Sequence, residues 1–231
     1  MGKTWAVCSG SGGVGKTTLA LSLAERVSKR GKQVILLDAS GAARSCDLIL
    51  GIESVITLDL RDVLSRQIDL ASVLYPVPGR ENLRLANASL YNDLSLAELS
   101  GAILALQSMC EVLILDLPTG QIGLGDGVMM REDEWILVTR PDDASIRSSE
   151  RLIQAARTCE AGLRVVINRS RRDRVKRGTQ YNAETVSMLL DSAVIGVIPE
   201  DENLAVRRGK SAMEHGGPVR NALNGIIDQL L

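Results

Sequence analysis

Seven short apolar runs punctuate the chain, at 5–8, 33–38, 83–86, 112–116, 135–139, 163–167 and 194–198. They are rich in Val, Ile and Leu and show no regular polar alternation, which is the form of parallel strands buried on both faces. Segments of helical period lie between them. In 19–29, Leu19, Leu23 and Val27 share one face, and Gly31 follows in the position that ends a helix. The segment 94–109 opens on Ser95 with Glu98, a capping box, and 144–159 has Asp142 or Asp143 available as its cap. Further helices are expected at 183–190, 203–213 and 219–231, with shorter pieces at 58–64 and 70–74 that Pro76 and Pro78 interrupt. Residues 39–47 read as a loop of small residues, and 120–127 as a glycine-rich, mobile loop. Strand and helix alternate throughout, so the fold class is α/β: a mostly parallel sheet covered by helices on both faces. No repeat, low-complexity stretch or linker interrupts the pattern, and one domain is expected over 1–231.

The first strand runs into Gly10, Ser11, Gly12, Gly13, Val14, Gly15, Lys16, Thr17 and Thr18, and a helix follows directly. This is G-x-x-x-x-G-K-[ST] between strand and helix, the phosphate-binding loop. Backbone N–H groups and the positive end of the helix face the phosphates, Lys16 adds a point charge, and the Thr17 hydroxyl can ligate Mg²⁺. The glycines also satisfy G-x-G-x-x-G, and Asp38 ends the next strand where a ribose-binding acid would lie. Three features favour the phosphate loop: Lys-Thr-Thr after the last glycine, a second strand ending in an acid at Asp116, and an Asp38 spacing longer than the dinucleotide motif's usual ~20 residues. ATP or ADP with Mg²⁺ is the expected ligand, with Thr17, Asp38 and Asp116 at the metal.

Composition narrows the reading. The 231 residues carry a formal net charge of −1, so bulk charge points to neither nucleic acid nor membrane. Phe is absent, which leaves the core to Leu, Ile, Val and Ala. The four cysteines form no C-x-x-C pair and no zinc spacing, and Cys8 and Cys110 lie in or beside apolar runs as reduced small hydrophobes, which fits a cytoplasmic protein. The N-terminus opens on a strand rather than a signal peptide. No run reaches the length of a membrane span.

The order of motifs resembles the ParA/MinD family of P-loop ATPases, and its MinD-type members in particular. The likeness rests on Gly12–Thr18, Leu36-Leu37-Asp38, Arg44 with Asp47-Leu48 and Gly51, Asp116-Leu117-Pro118-Thr119-Gly120, Asp133-Glu134, Val138-Thr139 with Pro141, Asn168-Arg169, and Val197-Ile198-Pro199-Glu200-Asp201. It implies a cytoplasmic ATPase of bacterial or archaeal cell division that dimerises across its nucleotides and answers to a protein regulator. It also implies that Asn168 and the loop of Pro199, Glu200 and Asp201 flank the adenine, with Arg169 beside it, and that Lys16 and Asp38 serve hydrolysis. Asn168 at a strand end is equally a turn residue. Roles in flagellar placement or DNA partition stay open.

Three departures stand out. Ser11 occupies the place of a lysine that in the family reaches the partner's phosphates, and Ser40 that of an acid implicated in positioning water. The 219–231 segment has its apolar residues on one face and few bases on the other, so it reads as a packing helix rather than a membrane anchor. Two classes of function therefore compete: a slow Mg·ATPase with a weak ATP-dependent homodimer, and a nucleotide sensor that scarcely hydrolyses. The basic stretch from Arg169 to Arg177 reads as a solvated loop, with nucleic acid disfavoured, and Glu132, Asp133 and Glu134 as a charged turn.

Overall fold

The structure, a computed structural model, describes residues 2–40, 45–88, 96–120, 133–157, 162–201 and 216–231. Its centre is an eight-stranded sheet in the order β3-β4-β2-β5-β1-β6-β7-β8. The strands are β1 (Lys3–Cys8), β2 (Val34–Asp38), β3 (Tyr75–Val77), β4 (Arg80–Asn87), β5 (Val112–Asp116), β6 (Glu134–Thr139), β7 (Gly162–Ser170) and β8 (Val194–Pro199). All neighbours are parallel except β3 with β4. Strands β1, β2 and β5 are buried at nearly every position, which is why they read as continuous apolar runs.

Helices cover both faces. On one, α1 (Lys16–Lys29), α2 (Ser45–Leu50) and α8 (Gly217–Leu230) pack on Val7, Leu36, Leu85 and Ile114. On the other, residues of α3 (Leu60–Arg66), α4 (Leu96–Gln107), α5 (Asp143–Ala156) and α7 (Ala183–Leu190) pack on Ala6, Leu37, Leu115 and Leu137. The buried face of α8 carries Val219, Leu223, Ile226, Ile227 and Leu230, and an added Cβ on Gly196 of β8 would lie 2.3 Å from Ile226. The segment is a packing helix, as its polar side with few bases foretold. Among the described residues no helix is long and apolar enough to cross a membrane.

Four local expectations need correction. Residues 45–47 are not loop but the start of α2, whose Cys46 and Leu50 lie one turn apart in the core. The strand expected at 83–86 is there, within the longer β4, but it pairs in a hairpin with β3, a strand across Pro76 that was not expected. Pro76 is accommodated because β3 is an edge strand, and Tyr75 ties the hairpin to the body through its hydroxyl, which accepts from the Thr57 and Leu58 amides. The 132–134 stretch is no solvated turn where it is described. Asp133 is buried and accepts the Thr4 amide at 2.5 Å and the Gln107 side-chain amide at 3.5 Å, and Glu134 lies within β6 and pairs with Arg164 at 3.2 Å. The basic stretch is the end of β7 followed by α6 (Arg172–Lys176), which buries nothing, so it is solvated but not a loop. Asp142 proves to be the α5 cap, accepting the Ser145 amide at 3.0 Å. The Ser95 cap, Arg44, Glu132, the glycine-rich segment beyond Gly120 and the 203–213 helix lie outside the described residues.

Candidate functional site: a phosphate loop beside two buried acids

The turn from β1 into α1 is held open by close packing. An added Cβ on Gly10 would lie 2.3 Å from the Ser148 carbonyl oxygen of α5, so this glycine lets the loop lie against that helix. Gly15, at φ 95°, adopts the left-handed geometry that carries the chain into α1. Val14 is buried and anchors the loop in the core, whereas Gly12 and Gly13 face solvent. Helix α1 begins at Lys16 with no side-chain cap and no acid in its first turn. Its first N–H groups are therefore left for an anion.

Beneath that turn lie two carboxylates. Lys16 Nζ sits 2.5 Å from Asp116 Oδ1, and the Thr17 hydroxyl donates to Asp116 Oδ2 at 2.6 Å. Asp38, in register with Asp116 on the next strand, accepts at Oδ1 from the Ser40 amide (3.0 Å) and hydroxyl (2.5 Å), and at Oδ2 from the Cys46 amide (3.0 Å). Both acids and Lys16 are buried. Burial pushes the Asp116 carboxyl up from its usual range; the Asp38 charge adds to this and Lys16 opposes it. Cys46, a residue the sequence reading passed over, places its thiol 3.9 Å from Asp116 Oδ2. Burial first, then the two nearby carboxylates, hold that thiol far above its ordinary value. Its signal in the sequence was the one-turn spacing to Leu50, which marks a helix entering the core.

The base-side candidates divide. Asn168 Nδ2 donates to the Val14 carbonyl at 2.7 Å, and its Oδ1 accepts the Arg169 amide at 2.9 Å, so Asn168 buttresses the phosphate loop directly. Arg169 is exposed in the left-handed region, at φ 56°. Pro199 and Glu200, held by the Glu200 amide on the Ser170 carbonyl at 3.1 Å, line a cavity of about 630 Å³ with Arg171, Asp173 and Val197. Asp201 follows at the end of that described stretch. Asn168 is not among the residues lining this cavity.

This arrangement can hold a phosphate chain over the α1 terminus and a hard cation between Thr17 and the two acids. Oxygen donors and one lysine are what Mg²⁺ and a polyphosphate require. Comparison with known proteins agrees with it. The CobQ/CobB/MinD/ParA nucleotide binding domain matches residues 5–212. The septum site-determining protein MinD of Escherichia coli strain K12 is 30% identical over 220 residues, covering 88% of this chain and 80% of that protein. MinD of Helicobacter pylori is 29% identical over 224 residues, covering 92% and 82%. Among solved structures, the MinC:MinD cell division complex of Aquifex aeolicus superposes with a TM-score of 0.85 at 26% identity, covering 99% of this chain and 95% of that one. With a phosphate loop, paired acids and an extended match of this kind, the chain belongs to the CobQ/CobB/MinD/ParA nucleotide-binding domain family, among its MinD-type members.

Proposed function

We propose that this chain, a single domain over 1–231, is a cytoplasmic MinD-type Mg·ATPase that serves the spatial regulation of cell division, with hydrolysis slowed by Ser11 and Ser40. The observation that carries the reading is the uncapped, acid-free start of α1 directly above the Lys16–Asp116 pair. In this reading the N–H groups of residues 10–18 and the Lys16 ammonium bind the β- and γ-phosphates, and Lys16 exchanges Asp116 for them. Thr17, Asp38 and Asp116 would hold Mg²⁺ or its waters, which would supply neutralisation of the phosphoryl charge. Asn168, Arg169 and the Pro199–Asp201 loop take the base side. The relatives from E. coli and H. pylori are septum site-determining proteins, and the A. aeolicus protein is seen with MinC. A protein partner of that kind and an ATP-dependent homodimer belong to the proposal for this chain. Titration calorimetry tests it: Mg·ADP is expected to bind the unaltered protein and to fail with Lys16→Ala, and equal affinity of the two would refute the assignment.

A second reading, a sensor that binds nucleotide and scarcely turns it over, is favoured by one contact. The Ser40 hydroxyl donates its only proton to Asp38, so a neutral group paired to that acid stands where the resemblance would put a second carboxylate. Phosphate release under saturating Mg·ATP separates the two.

A further inference from the structure

Asp38 has an in-register neighbour on either side: Asp116 of β5 and Asn87 of β4. Partners in a parallel ladder project to the same face, and side chains two residues apart along a strand share that face. The preceding residues of that face, Leu36, Leu85 and Ile114, all belong to the core under α1 and α2, and Cys46 belongs to the same core. Asn87, Asp38 and Asp116 thus end three adjacent strands as one polar row beneath α2. Asn87 is buried, at 1% exposure, and neither its Nδ2 nor its Oδ1 has a hydrogen-bond partner among the described residues. A buried amide with both ends unpaired is expensive to keep unless something else uses it.

Within this row, one oxygen each of Asp38 and Asp116 and the Cys46 sulfur lie within 4.8 Å of one another. We propose that this chain has a site for a thiophilic divalent cation, zinc being the natural member of the class, built from Asp38, Cys46 and Asp116 with the Asn87 side-chain carbonyl as fourth donor.

One ligand pair already stands near its bonded separation. Zinc bonds of ~2.3 Å to sulfur and ~2.0–2.2 Å to oxygen set two tetrahedral ligands about 3.5 Å apart. Cys46 Sγ and Asp116 Oδ2 are 3.9 Å apart. Lys16 pairs with the other oxygen of Asp116, Oδ1, while Oδ2 accepts the Thr17 hydroxyl at 2.6 Å, a contact the cation would replace. Two carboxylates against one lysine leave the pocket short of positive charge. A thiolate is a poor ligand for Mg²⁺ and a good one for zinc or cadmium. On binding, the cation loses water, the S–metal bond forms and the Cys46 proton passes to solvent. Because Asp38 and Asp116 are also the acids assigned to Mg²⁺, a bound soft cation and Mg·nucleotide compete, and the site would hold the nucleotide-free form.

The test uses Cd²⁺ and Zn²⁺ on the full chain without nucleotide. Cadmium is expected to bind at one equivalent with an ultraviolet thiolate-to-metal charge-transfer band that is lost in Cys46→Ser and kept in Cys110→Ser. Asn87→Ala is expected to weaken zinc, measured against a chelating dye, by about tenfold or more. No band on the folded protein, a band that survives Cys46→Ser, or unchanged zinc affinity in Asn87→Ala would each overturn the site. Mg·ADP binding measured separately, in excess Mg²⁺ with no cadmium or zinc added, keeps the two readings apart. ADP without cadmium defeats this inference alone, and cadmium without ADP defeats the nucleotide assignment alone.

Discussion

Lys16 and Asp116 show how one pair of residues can serve two states. Without phosphate, a buried ammonium needs a counter-charge, and Asp116 supplies it at 2.5 Å. Burial also holds two other thiols neutral, Cys8 at the site end of β1 and Cys110 before the far end of β5. Cys8, fully buried, is pushed up to about 12, and the half-buried Cys110 to about 11, from the ordinary 9.0. Between those values the folded chain keeps protons that an unfolded chain has lost. The contribution to stability is therefore complete below pH 9 and lost as pH rises through about 11 and then about 12. The melting temperature is expected to fall across that window, and iodoacetamide to label Cys110 before Cys8. Labelling of both at equal rates below pH 9 would contradict this.

At the scale of elements, small buried polar contacts decide where strands and helices meet. Asp133 joins the starts of β1 and β6 to the end of α4 through the Thr4 amide and Gln107. In Asp133→Ala the Thr4 N–H would be left buried without an acceptor, at a cost of about 2 kcal/mol or more. Urea denaturation is expected to show the lower midpoint with an unchanged slope, and a loss under half that size would mean water or another acceptor takes its place. On the opposite face Glu25 of α1 is buried and pairs with Arg80 of β4 at 3.0 Å, which ties the helix to a strand three positions from the one its glycine loop follows. Neither contact was legible in the sequence. An acid before a strand and an acid within a helix look alike whether they face solvent or a buried partner. The strands themselves were legible, because burial on both faces leaves only apolar residues tolerable. The β3 strand was not, because an edge strand needs no such run and admits Pro76.

For the whole molecule, the order of strands matters more than their number. The chain passes from β1 through α1 to β2, yet β5 lies between those two strands and brings Asp116 alongside Asp38. Ligands in such sheets bind beyond the carboxyl ends of the strands, and that edge here carries Asp38, Asn87, Asp116 and the glycine loop. In the proposed ATP-dependent dimer, a lysine from the second copy would complete the catalytic set where this chain has Ser11. Trans-acting cations at transferred phosphoryl groups are worth about 10³–10⁵ in rate. Ser11→Lys alone is expected to promote an ATP-dependent dimer in sedimentation, and together with Ser40→Asp to raise turnover by up to about 10³-fold. The two gains need not multiply, since both act on one constellation. A wild-type rate already equal to the double variant would mean that another group of this chain has replaced them.

The sequence by itself determined the α/β class, the phosphate loop and the two strand-end acids, because each depends on local grammar: continuous burial, glycines at a strand-to-helix turn, and a lysine and threonine at fixed spacing. It also pointed to the last helix as a packing helix, since its polar face carries a single base, Arg220. Tertiary structure alone decided that Asp38 and Asp116 are neighbours, that Cys46 turns its sulfur toward them, that Asn87 completes their row, and that Asn168 braces the loop. Those relations join strands and helices far apart in the chain. They follow from sheet order and register, which the runs of Val, Ile and Leu do not encode because any two such strands can pair.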